Sequence, residues 1–158
     1  MLGAAGGRLR FWDSSALLAL AVREPFSADV EALLERDPEV AFWWGAVPEC
    51  VDGLAEARRC ERLTDAGFER ARTLIDQLRV RAFEIQPSEE VRARALRILT
   101  VHPLRADRAL QLAAALVWCR EHTHRVNFVC LDEPLRLAAA REGFRVLPYA
   151  GEVHEPEP

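Results

Sequence analysis

Four carboxylates fall where an α/β chain would gather them for chemistry. Asp13 directly follows the short apolar segment Leu9-Arg10-Phe11-Trp12, and Asp132 follows another, Asn127 to Leu131. Glu49 and Asp107 each fall in the first turn of an expected helix. Ligands of open parallel sheets bind beyond the carboxyl ends of the strands, which is where these four acids would meet. Taken singly, an Asp at a strand-to-helix junction is also an ordinary N-cap, and an acid in a first helical turn complements the helix dipole. Taken together, four acids at one edge cannot stay ionised and partly desolvated without a cation. An all-oxygen donor set of this kind suits Mg²⁺ or Mn²⁺.

Other carboxylate chemistries can be tested on the residues themselves. A phosphoaspartyl phosphatase would want a second Asp two residues after Asp13, where Ser15 stands. A phospho-receiver domain would need a lysine, and the chain contains none: all 21 of its basic residues are arginines. Neither Gly-x-x-x-x-Gly-Lys-Ser/Thr nor Gly-x-Gly-x-x-Gly is present, which disfavours nucleotide cradling. Metal-assisted phosphodiester hydrolysis is the chemistry left.

The elements that must position these acids alternate between strand and helix. Leu9–Trp12 reads as a strand, followed by a turn and an alanine- and leucine-rich helix, Ala16–Val22. Pro25 and Ser27 open a second helix to about Arg36, stopped by Asp37-Pro38. Val40–Trp44 has the composition of a buried strand, which would bury both Trp43 and Trp44, and Gly45 closes it. A third helix starts near Ala46 and runs to about Arg62, and Thr64-Asp65 caps a fourth to about Leu78. Ala82–Ile85 is a short strand, and Pro87-Ser88 leads into a fifth helix that ends before Pro103. Leu104–Glu121 is a sixth helix, Asn127–Leu131 a strand, Asp132–Glu142 a helix with Gly143 as its C-cap, and Phe144–Leu147 a last strand. Apolar strands without polar alternation, interleaved with helices, predict an α/β fold with a parallel sheet covered on both faces, in three layers. One domain over residues 8–148 is expected, with tails at 1–7 and 149–158.

Composition bounds the rest. The chain has 158 residues, half of them hydrophobic, and 29% are charged, which fits neither a disordered nor a membrane protein. The uncharged run Ser14–Val22 is too short to span a bilayer, and no signal peptide is evident. Cys50, Cys60, Cys119 and Cys130 lack Cys-x-x-Cys spacing and sit among apolar residues, so they read as reduced core thiols of a cytoplasmic protein. Net charge is −4, but it is segregated: −6 over residues 1–57, +4 over 58–108 and −2 over 109–158. Within the basic third, Arg58, Arg59, Arg62, Arg105 and Arg108 are candidates for phosphate contacts, with a solvated or salt-bridged helix face as the other explanation. His102, before Pro103, reads as a packed loop residue.

Four ordered segments resemble the PIN-domain family, in particular bacterial toxins of the VapC type. They are Phe11-Trp12-Asp13-Ser14-Ser15-Ala16-Leu17-Leu18, Trp43 to Cys50 with Glu49, His102 to Leu116 with Asp107, and Phe128 to Ala140 with Asp132 and the later Gly143. The resemblance implies that Asp13, Glu49, Asp107 and Asp132 converge on one or two Mg²⁺ or Mn²⁺ ions, with Ser15 supporting Asp13. Asp13 and Asp132 would bind the tighter ion, Asp107 would complete its shell, and Glu49 would orient a second ion or the attacking water. It also implies an endoribonuclease acting on RNA, a homodimer, and neutralisation by a cognate antitoxin. Two alternatives stand beside it: a catalytically silent PIN-like module binding RNA or protein, and a nuclease acting on single-stranded DNA. The sequence departs from the family at Asp52, Gly53 and Glu56, where small and apolar residues are more usual, and Asp52 and Glu56 add negative charge near the site. Gln111 stands at a position the family gives to histidine or glutamine.

Overall fold

A computed structural model describes residues 9–149. The expected tails, 1–7 and 149–158, lie outside the described residues except for Tyr149. Among the described residues the chain is α/β, with one parallel sheet of five strands flanked by seven α-helices.

In chain order the elements are β1 (Leu9–Trp12), α1 (Ser14–Ala21), α2 (Ser27–Arg36), β2 (Ala41–Trp43), α3 (Ala46–Arg59) and α4 (Asp65–Arg81). Then come β3 (Phe83–Ile85), α5 (Glu89–Val101), α6 (Ala106–Trp118), β4 (Val126–Val129), α7 (Glu133–Arg141) and β5 (Arg145–Leu147). The strand order is β3-β2-β1-β4-β5. The chain therefore winds outward from β1 to β3, crosses back to β4 and continues to β5. The crevice between β1 and β4 is the topological switch point, the usual place for a ligand in such sheets.

Alternation along the strands divides the core into two layers. Phe11, Ala41, Trp43 and Phe128 face α5, α6 and α7, where they meet Ile98, Leu112, Leu116 and Leu135. Trp12, Phe42 and Val129 face the other way, onto Leu17, Val30, Ala46, Cys50 and Ile75 of α1 to α4. Small residues let α6 lie close to the sheet: Ala109, Ala113, Ala114 and Ala115 are all fully buried. Both strand faces are covered, giving the three-layer α/β/α arrangement that continuous apolar strands require.

Several boundaries differ from the sequence expectation for local reasons. Helix α3 stops at Arg59 rather than Arg62, because Glu61 takes a left-handed φ of 57° and the amides of Arg62 and Leu63 turn back to Ala57 O. Helix α6 covers Ala106–Trp118, not Leu104–Glu121. Its start is set by extended backbone at His102, as expected before proline, and at Arg105, and its end is followed by left-handed Arg120 and Glu121. Helix α4 continues past Leu78 to Arg81, β2 is trimmed to Ala41–Trp43, and β4 is Val126–Val129, so Cys130 and Leu131 belong to the following loop. Trp43 is buried but Trp44 is 48% exposed, so only one of the pair is core. Cys50 and Cys130 are buried and Cys119 is partly so, whereas Cys60 is exposed rather than a core thiol; all four are free. No helix among the described residues is long and apolar enough to cross a membrane.

Candidate active site

Asp13 is both a helix cap and a lining residue of the switch-point crevice. Its backbone N–H donates to Val129 O at 3.0 Å, extending the β1–β4 ladder by one bond. Its Oδ1 accepts from the Ala16 amide at 3.1 Å and from Ser15 Oγ at 2.7 Å. The residue is 2% exposed. Burial pushes its carboxyl up to about 6, against the opposing hydrogen bonds from Ser15 and Ala16. No salt bridge reaches it among the described residues.

Asp132 repeats the pattern across the crevice. It caps α7, accepting from the Leu135 amide at 3.1 Å. Arg136, one turn into α7, donates to Cys130 O at 2.6 Å and to Pro148 O at 2.7 Å, which fixes the loop carrying Asp132. No sequence signal points to Arg136, because its partners are backbone carbonyls outside its own helix.

Glu49, in the first turn of α3, is held by two donors at the same oxygen. Ser14 Oγ stands 2.7 Å and Gln111 Nε2 2.8 Å from Glu49 Oε2. Burial raises its pKa, the Ser14 and Gln111 bonds oppose that, and the charge of Asp107 adds to the rise. Asp107 itself stands at the rim. Its side chain is half exposed, and Arg105 Nε is 3.7 Å away.

Asp13, Ser14, Ser15, Leu18, Glu49, Asp107, Arg108, Gln111, Asp132 and Leu135 line one cleft of about 210 Å³. The four acids singled out in the sequence thus come from four different elements into one cavity, with Ser15 beside Asp13 as expected. Gln111 lies one turn beyond Asp107 and Arg108 on α6, four and three residues on, which brings it to the same cleft. That spacing was the available signal for Gln111.

The arginines divide. Arg108 lies in the cleft, where its Nε donates to Asp132 Oδ1 at 2.8 Å and its Nη2 to Asp132 Oδ2. The other four are outside it. Arg59 pairs with Glu56 at 2.6 Å, and Arg58 lies 4.1 Å from the centre of the Phe68 ring and 3.8 Å from Asp65. Arg62 and Arg105 are exposed. Neither Asp52 nor Glu56 lines the cleft, so their charge is not part of the acid cluster. His102 is packed as expected, with Nε2 2.7 Å from Glu142 Oε1.

By donor chemistry the cluster fits a hard divalent cation. All its acids offer oxygen, Asp13 is buried with no salt bridge of its own among the described residues, and Gln111 Oε1 is buried with no hydrogen-bond partner. By arrangement it is a carboxylate cluster with an internal guanidinium: among the described residues no three His, Cys, Asp or Glu side chains are grouped to hold a metal ion. No protein-family model matches the chain, and comparison with curated proteins finds no match.

Proposed function

We propose that the chain is a Mg²⁺- or Mn²⁺-dependent endoribonuclease of the PIN type, the toxin of a toxin–antitoxin pair, acting at the Asp13–Glu49–Asp107–Asp132 cleft. The observation that carries this reading is the convergence of four acids, from elements up to 119 positions apart, at the β1–β4 switch point. Asp13 and Asp132 would hold the ion, with Asp107 completing its surroundings from the rim. A divalent ion held there would polarise the attacking water and offset the charge gained by the phosphate. The chain's own residues do the rest. Ser15 and the Ala16 amide fix the orientation of Asp13, and Arg136 fixes the loop of Asp132. Ser14 and Gln111 orient Glu49 in the cleft, where it would position a second ion or the attacking water. RNA as substrate, the homodimer and the antitoxin rest on the four-segment resemblance to VapC-type PIN domains.

The deciding experiment is Asp13→Asn. The variant keeps an acceptor for Ser15 and Ala16, so it should fold as the wild type does while losing RNA cleavage in Mn²⁺ and the metal-induced rise in melting temperature. Cleavage at the wild-type rate would overturn the site. Parallel digestion of RNA and single-stranded DNA separates the two substrate classes.

A second reading, a PIN-like module that binds without cutting, is favoured by one observation. Arg108 already neutralises Asp132 in the cleft. A wild-type protein that binds RNA but shows neither cleavage nor stabilisation by Mn²⁺ would establish it.

A further inference from the structure

Arg108 occupies both carboxylate oxygens of Asp132, one of the two residues that would hold a metal ion. Planar fork-to-carboxylate pairing is the strongest form an exposed or half-exposed ion pair takes. The charges of Asp132, Asp107 and Asp13 all act on this guanidinium and raise its pKa further. Its charge is permanent, and it lines the cleft together with the four acids.

Two features make the fork a movable part and Asp132 a fixed one. The Arg108 side chain is 33% exposed where it lines the cleft, on the first turn of α6. Asp132 is retained by its cap bond to the Leu135 amide and by the Arg136-braced loop, so it stays in the cleft when the guanidinium leaves.

Resting on the metal-dependent reading above, we propose that Arg108 is an internal competitor for the divalent ion that exchanges Asp132 for a substrate phosphate. A phosphodiester offers the same planar fork a second anionic partner, and Asp132 is then free for the metal. Metal and nucleic-acid backbone would accordingly load together, each raising the affinity for the other by the same factor.

The test is the Mn²⁺ dissociation constant of metal-stripped protein, read by competition with a fluorescent indicator, with and without an uncleavable 2′-O-methyl oligoribonucleotide and corrected for the oligonucleotide alone. Arg108→Gln should bind Mn²⁺ at least about tenfold more tightly than wild type, equivalent to about 1.4 kcal/mol. Arg92→Gln, which removes the same charge from an exposed pair with Glu89 outside the cleft, should change affinity by less than about twofold. The oligonucleotide should tighten Mn²⁺ binding to wild type and not to Arg108→Gln. Arg108→Lys, which keeps the charge and loses the fork, should fall between, and it serves where Arg108→Gln does not fold.

Equal affinity in wild type and Arg108→Gln overturns the inference and leaves the metal reading standing, as does equal tightening by Arg92→Gln. Equal tightening by the oligonucleotide in wild type and Arg108→Gln overturns the exchange. Absence of Mn²⁺ binding by wild type and all variants overturns both the inference and the metal reading.

Discussion

Ser15 Oγ donates to Asp13 Oδ1 at 2.7 Å while accepting the amide of Leu131 at 2.8 Å. One hydroxyl thereby joins the loop after β1 to the loop after β4 and sets the distance across the crevice. Ser15→Ala should leave the Leu131 N–H unsatisfied and cost about 1–3 kcal/mol in urea unfolding. Loss of the bond to Asp13 should also raise that carboxyl's pKa, since the Ser15 bond lowers it. Unchanged stability would mean that the hydroxyl is not the bridge.

Gln111 combines a made bond with an unmade one. Its Nε2 donates to Glu49, and its Oε1 is buried with no partner. Gln111→Leu removes both, so folding stability should stay within about 1 kcal/mol of wild type. Cleavage should fall about ten- to a hundredfold, because Glu49 loses one of the two donors that orient it. A drop in stability without a drop in activity would reverse that assignment.

Glu142, at the end of α7, is tied to α5 by accepting from Arg97 Nη2 at 2.7 Å and from His102 Nε2 at 2.7 Å. Burial alone would raise its pKa, but the Arg97 and His102 bonds and their charges bring it below the ordinary 4.5. A depressed carboxyl pKa adds stability that is present above the unfolded-state value and is lost as pH falls through the folded-state value. Glu142→Gln should therefore be less stable than wild type near neutrality, by about 1 kcal/mol. The gap should close as pH drops below 4.5. A gap that is independent of pH would show that the pair contributes by shape and not by charge.

Cys60 is the exposed thiol among four free ones. Burial pushes Cys50 up to about 12 and Cys119 up to about 11, and raises Cys130 as well. Since the thiolate is the reactive form, a disulfide reagent such as DTNB should titrate one thiol rapidly in the native protein and the others only on unfolding. Cys60→Ser should remove the fast phase. Two fast thiols in the native state would place a second cysteine at the surface.

Much of the architecture was legible because its signals are local. Apolar runs such as Phe11-Trp12 and Phe128-Val129 specify buried parallel strands, and Thr64, Ser88 and Asp132 announce the helices they cap. Boundaries were less legible where the backbone turns left-handed at non-glycine residues, as at Glu61 and Arg120, since nothing in those side chains demands it.

The sequence by itself determined the α/β alternation, the absence of lysine and the placement of Asp13 and Asp132 at strand ends, because each follows from composition or from neighbours within a few residues. Only the tertiary structure decided how the acids are partnered. Arg108 meets Asp132 across 24 positions, Gln111 meets Glu49 across 62, and Ser15 meets Leu131 across 116. Those pairings depend on the strand order that sets β1 beside β4, and on the rotation of α6 about its axis. A helical step turns a side chain by about 100°, so adjacent residues of that helix had different fates, Asp107 at the rim and Arg108 against the capping carboxylate of α7.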